Sequence, residues 1–150
     1  MLVNKVPPET LTVPPTAHSP NSTRPVFVYR DVLVDKTPQG ASNAIEQSEW
    51  VYGGHWRIAE NTLAAVPHYH SITHEAYTVL HGTGTYRLGK SPLDPEIDAN
   101  GEEVGVVFTA RAGDVFVFPV CFIPDSLPLS EYEWRDRNKK TCIADGPVTV

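Results

Sequence analysis

The sequence has no basic block and no long apolar segment, and each absence removes a class of partner. Its 150 residues carry 12 Lys and Arg against 18 Asp and Glu, so the formal net charge is −6. Nucleic acids and anionic membranes attract clustered positive charge, so neither is an expected partner. A membrane-spanning helix needs about 18 or more consecutive apolar residues, and no segment approaches that length. With no apolar leader at the N-terminus, these features favour a cytoplasmic protein whose ligand is a small neutral or cationic molecule, or another protein.

Cysteine is equally scarce, whereas proline is abundant. Cys121 and Cys142 form no metal-binding or redox spacing, and a cytosolic pair of thiols is expected to stay reduced. The 14 prolines, with few apolar helical patterns, favour an all-β domain with extended connections. Five of them fall within residues 1–24, which we predict to be a Pro-rich arm that either packs on the body or stays loose.

Short strand patterns separated by Gly, Asp and Asn turns fill the rest of the chain. The predicted strands are RPVFVYRDVLV, WVYGGHWRIAE as a strand pair or bulged strand, LAAVPHYHS, EAYTVLHG, GTYRLGK, VGVVFTA and DVFVFPV. A short helix is predicted around Asn43–Gln47, and Asn100-Gly101 predicts a tight turn. Strands at this spacing, in a chain of one domain's length, indicate a β-sandwich or β-barrel.

Three histidines and a glutamate fall within the nine residues PHYHSITHE, at positions 67–75. Because side chains alternate along a strand, His68 and His70 project from the same face. If the next strand forms a hairpin with this one, Glu75 returns beside the two imidazoles. Two histidines and one carboxylate form the facial triad that non-haem Fe(II) favours, and Mn, Ni or Zn also suit these ligands. We therefore predict a divalent transition-metal site and favour Fe(II).

The same residues carry a resemblance to a known family. His68-x-His70-x4-Glu75-x6-Gly82 matches every fixed position of the first cupin motif, and Gly113-Asp114-x4-Pro119 matches the start of the second. The chain thus resembles the cupin superfamily, and within it the small single-domain cupins with HYHS followed by HE. The resemblance covers roughly residues 25–120. It implies an all-β fold, the cupin double-stranded β-helix or jelly-roll barrel, with a metal held by His68, His70 and Glu75 in its mouth.

The second motif departs from the family at its end. Its usual Pro-x-Gly-x-x-His would place Gly at Cys121 and the fourth metal ligand at Pro124, and no histidine follows His81. His55 is a candidate substitute ligand if Gly53-Gly54 turns it inward. Residues 121–150 hold a charged run in place of strand alternation, so the predicted barrel is incomplete at its C-terminus. This divergent tail is either a genuine lid or a translated intron or shifted frame.

The residues around the motif have mostly structural interpretations. His74 is expected to point away from the metal, and His81 to lie at a strand end. Tyr77 shares the face of Glu75, where it either packs in the core or lines the pocket. Asp114 is interpreted as a turn residue. The strand Val115–Phe118 is expected to be core on both faces, and Tyr69 is expected to pack. The candidates to line the mouth are Trp50, Trp56 and Arg57.

Three functions follow as hypotheses. The first is a metal-dependent oxidoreductase acting on a small organic substrate; similar fungal cupins modify aromatic polyketide intermediates in secondary metabolite biosynthesis. The second is an isomerase, cyclase or lyase whose metal is only a Lewis acid. The third is a non-catalytic cupin that binds a small ligand and has lost its fourth metal ligand. Fold alone does not select among them. Cupins often pair through sheets and arms, so the resemblance also suggests a homodimer.

Overall fold

The structure, a computed structural model, describes residues 2–54 and 74–119. Those residues form six strands and one helix in two antiparallel sheets. The four-stranded sheet has the order β1-β2-β6-β3, and the second sheet consists of β4 and β5. The bounds are β1 Glu9–Leu11, β2 Val26–Tyr29, α1 Pro38–Glu46, β3 Glu75–Thr78, β4 Thr83–Leu88, β5 Val106–Arg111 and β6 Val115–Phe118.

The central strand β6 has one buried face and one more open face. Phe116 and Phe118 are fully buried, whereas the alternate residues Val115 and Val117 are only half-buried. One face of the strand is therefore core and the other is more open, which corrects the expectation that both faces are core. Alternation of side chains then assigns the inner face of every strand paired with β6.

The core lies between the two sheets and is rich in aromatic rings. Phe116 of the four-stranded sheet contacts Tyr86 and Phe108 of the two-stranded sheet, with ring centroids 4.8 and 5.2 Å apart. Tilted and edge-on ring pairs at such distances are favourable beyond the apolar area that they bury. The buried cluster also contains Val13, Val26, Val28, Leu88, Ala110 and Phe118.

The helix α1 begins and ends with recognisable caps. Thr37 precedes it in an extended conformation, and its Oγ1 accepts a hydrogen bond from the N–H of Gly40. A hydroxyl acceptor here satisfies one of the otherwise unpaired first N–H groups, and Pro38 suits the first turn. The helix was predicted at Asn43–Gln47, but it begins five residues earlier because of this cap, and Gln47 is its C-terminal cap.

The N-terminal arm packs on the body. Its strand β1 pairs with β2, and Val3 bridges to Leu33. Val13 is 7% exposed and belongs to the core cluster. Residues 1–24 were predicted either to pack on the body or to stay loose. Over the residues that the structure describes, the arm packs on the body.

The closeness of the arm to β4 makes Gly89 hard to replace. Gly89 has φ +76°, and a Cβ there would lie 2.2 Å from Cγ1 of Val13. Gly89→Ala is therefore expected to lower the free energy of unfolding by about 2–3 kcal/mol, from left-handed strain plus overpacking. Urea unfolding would measure it. Gly82 is the matched control, since it has φ +72° but nothing within 4 Å of the added Cβ. Gly82→Ala should lose only the free energy that comes from the left-handed strain, about 1 kcal/mol. If both variants lost the same free energy of unfolding, crowding between residue 89 and Val13 would not contribute.

The strand predictions are confirmed for five described strands, β2 to β6, and for the antiparallel, mostly β character of the chain. The turn at Asn100-Gly101 is also confirmed, because Asp98 N–H donates to the Glu102 carbonyl and Gly101 has φ +86°. Trp50–Gly54 contains no strand, so that portion of WVYGGHWRIAE is corrected. The predicted strand LAAVPHYHS and the tail from residue 120 lie outside the described residues. The cupin barrel remains a prediction.

Candidate functional site

Glu75 is the predicted metal ligand that lies within the described residues, and it opens strand β3. It pairs with Phe118 on β6, whose side chain is fully buried between the sheets. Directly paired residues of antiparallel strands project from the same face of the sheet. The half-buried Glu75 side chain therefore starts from the inner face, as the alternation along EAYT predicts.

Tyr77 lies next to Glu75 on that inner face and packs on the aromatic core. Its ring centroid is 5.8 Å from that of Phe116 and 5.7 Å from that of Phe118. Tyr77 is half-buried, whereas both phenylalanines are fully buried. The packing interpretation of Tyr77 thus holds, and its remaining exposed surface places an aromatic ring beside the carboxylate.

The other predicted site residues divide into exposed and undescribed ones. His74 and His81 are exposed, and Trp50 is 41% exposed. His68, His70 and His55 lie outside the described residues, as do Tyr69, Trp56 and Arg57. Within residues 2–54 and 74–119, no group of three His, Cys, Asp or Glu side chains is placed to hold a metal. The predicted triad is not one of these groups, because His68 and His70 lie outside the described residues.

Strand direction fixes which end of the sandwich carries Glu75. Leu11 pairs with Val26, and extending the β2–β6 register by one residue sets Val26 opposite Phe118, which pairs with Glu75. Leu11, Val26, Phe118 and Glu75 therefore form one row across the four strands, at what we call the Glu75 end. The chain enters β3 at this end and leaves β6 through the buried Pro119.

A charged network that the sequence interpretation missed occupies the opposite end. The Asp114 side chain is only 5% exposed, and its Oδ1 accepts from the Asp31 N–H at 2.9 Å. Its Oδ2 accepts from Arg30 Nη1 at 2.8 Å and from the Arg111 N–H at 3.0 Å. Arg30 also donates to Glu9 on β1 and to the Thr109 carbonyl. Asp114 is thus more than a turn residue, because it joins three segments of the chain.

The network decides the protonation of Asp114. Burial is the largest influence on its pKa and raises it, but hydrogen bonds from the Asp31 N–H, from Arg30 and from the Arg111 N–H together outweigh burial. The pKa of Asp114 therefore lies below its ordinary value of 3.8. The hydrogen bond to Glu9 in turn raises the pKa of Arg30. A sequence signal did exist, since an acidic residue directly before a wholly apolar strand needs partners when it is buried.

No helix among residues 2–54 and 74–119 is long and apolar enough to cross a membrane. Comparisons of the chain with protein-family models, with curated proteins and with solved structures found no match.

Proposed function

We propose that the protein is a cupin-like, metal-dependent oxidoreductase that acts on a small organic substrate, with His68, His70 and Glu75 as its metal ligands. Fe(II) is the favoured ion, with Mn, Ni and Zn as the others that suit these donors. The single observation that carries the proposal is the inward placement of Glu75 at the start of β3, next to a fully buried phenylalanine. A carboxylate on the outer face of the sheet would not lie next to a fully buried phenylalanine.

The surroundings of Glu75 support this chemistry. When bound, the ion would supply a Lewis acid with positions open to substrate or O₂. The fully buried rings of Phe116 and Phe118 lie on the same inner face as Glu75, and electrostatic interactions are stronger beside such apolar groups than in water. Tyr77 is half-buried on that face, and we propose its ring as a surface on which a planar substrate can pack. These features favour an aromatic substrate, such as an aromatic polyketide intermediate, over a small acid.

Replacing Glu75 tests the ligand set directly. After anaerobic purification and Fe(II) loading, Glu75→Ala is expected to fall from about one metal ion per chain to background, because it removes the only anionic ligand. Metal analysis by mass spectrometry would measure it. The matched control is His74→Ala, the exposed neighbour of Glu75. Its occupancy should remain that of the natural chain, and full occupancy in Glu75→Ala would show that the ligand set is wrong.

Fe(II)-dependent O₂ uptake with phenols or aldehydes then separates the reaction classes. Uptake that requires both metal and substrate supports the oxidoreductase. Metal binding without O₂ uptake favours an isomerase, cyclase or lyase. The missing motif-two histidine favours a third function, a non-catalytic small-ligand binder. Failure to take up Fe, Mn, Ni and Zn would indicate that one.

A further inference from the structure

The connection from β1 to β2 begins and ends at the Glu75 end of the sandwich. β1 leaves the sheet at Leu11 and β2 begins at Val26, both in the row that contains Glu75. Residues 12–25, which we call the strap, therefore lie at this end. With strands about 4.8 Å apart, Leu11 and Glu75 are separated by three spacings, or about 14 Å. That is within reach of a connection of this length.

The strap spans from one sheet to the other. Val13 is inserted into the core beside Gly89, which directly follows β4 of the second sheet. The buried Asn21 side chain donates to the Pro14 carbonyl at 2.6 Å and to the Gly89 carbonyl at 2.9 Å. The strap thus bridges the gap between the sheets at the end where Glu75 lies.

A buried carboxylate fixes the strap in place. Asp94 is 5% exposed, and its Oδ2 accepts from Thr16 Oγ1 at 2.6 Å and from the Ser91 N–H at 2.8 Å. Its Oδ1 accepts from the His18 N–H at 3.2 Å. Hydrogen bonds to a charged acceptor are about twice as strong as neutral ones. We call the contacts of Asp94 with Thr16 and His18 the clasp.

The strap is also stiff between its attachments. It contains four of the chain's prolines, Pro14, Pro15, Pro20 and Pro25, which fix φ and reduce the number of other conformations available. Loss of the clasp would therefore release the segment around Thr16 and His18, while Val13 in the core and Asn21 on Gly89 still hold the strap on either side.

We propose that the strap walls the Glu75 end of the sandwich and that the clasp at Asp94 controls entry to the inner face beside Glu75. The inference rests on the proposed function only in identifying what enters, a metal ion and an organic substrate. Asp94 and Thr16 are positioning residues, because they act through the strap and do not contact the reacting atoms.

The test uses Thr16→Val, which keeps the shape of the side chain and removes its hydrogen bond to Asp94, together with the acceptor of the Ser19 N–H within the strap. The matched control is Thr23→Val, the same change at an exposed strap residue outside the clasp. Amide hydrogen exchange of the metal-free full chain would be compared at Glu75 and Phe118 and, at the opposite end, at Val79. Thr16→Val is expected to accelerate exchange about tenfold at the Glu75 end only, given the strength of a charge-assisted hydrogen bond. Thr23→Val should change neither end.

Two outcomes would overturn the proposal. Equal acceleration at both ends would mean that the clasp only contributes to global stability, and unchanged exchange at the Glu75 end would mean that the strap does not cover it. Asp94→Asn provides a second variant should Thr16→Val fail to fold, and it has the same expected pattern.

The rates of Co(II) uptake and removal test whether the strap controls entry to the site. Opening an entrance raises the rates of Co(II) uptake and of its removal by a chelator together, so Kd stays constant. A merely structural defect at the site would change Kd instead, and that result would count against the proposal. If the natural chain takes up no Co(II), the proposed function fails, while hydrogen exchange still decides whether the strap walls this end.

Discussion

The Phe116→Ala variant is expected to lose about 3–5 kcal/mol of its free energy of unfolding. Phe116 is fully buried and its ring contacts rings of both sheets, among them Tyr86 at 4.8 Å and Phe118 at 5.2 Å between centroids. Truncation removes the apolar transfer energy and leaves a cavity that aromatic neighbours, fixed by their own strands, fill poorly. Equilibrium unfolding in urea would measure the change from the midpoint and slope.

Phe27→Ala is the control, because it makes the same change on the opposite face of the same sheet. Phe27 is 36% exposed and lies on β2, next to β6. Its loss should cost about 1 kcal/mol or less, since much of its surface already contacts water. If the two variants lost equal stability, the assignment of inner and outer faces would be wrong.

The second large effect is expected at the charged network of the opposite end. Asp114→Asn keeps the size of the side chain but turns an NH₂ group toward donors, so at least one N–H of Asp31 or Arg111 loses its acceptor. The expected loss is about 2–4 kcal/mol, mostly from those unpaired backbone groups, because Arg30 is 39% exposed and screened by water. Asp31→Asn, a change at an exposed carboxylate 71% accessible, should cost about 0.5 kcal/mol or less.

The same residue predicts an acid dependence. The folded pKa of Asp114 lies below its unfolded value near 3.8, so folding favours the charged form. Its contribution is fully present above about pH 4 and is lost as the pH falls through the folded pKa. Asp114→Asn should therefore have a flatter stability profile below pH 4 than the natural chain. Urea midpoints between pH 2 and 6 would decide.

Local patterns predicted the strands but not their partners. Alternation along VFVY, EAYT and VFVF and the intervening Gly and Asp turns specify extended segments, and the structure has strands at all three. Nothing local specifies that β6 lies between β2 and β3, because both partners are distant in sequence. The start of α1 was missed because the capping role of Thr37 depends on one hydroxyl rather than on apolar periodicity.

The candidate site was predictable where alternation alone decides it. The inward face of Glu75 follows from counting residues along a strand. The same count puts His81 on the face of Glu75, but β3 ends at Thr78 and His81 is exposed. The partners of Asp114 and Asp94 were not predictable, although the apolar strand after Asp114 is a signal that this residue needs some. The side chains that donate to these carboxylates, Arg30 in one case and Thr16 of the arm in the other, are distant from them in sequence.

The position of β6 also bears on how the chain acquires its structure. The strand that joins β2 to β3 is the last described strand along the chain, so a nascent chain shorter than about 115 residues lacks this bridge between the two. Closing such long loops before any contact compensates for the lost entropy makes formation of the sheet slow. Until β6 emerges, the edges of β2 and β3 that it covers are open to other chains. Folding yield should consequently depend on protein concentration and on chaperones more than the size of the chain would suggest.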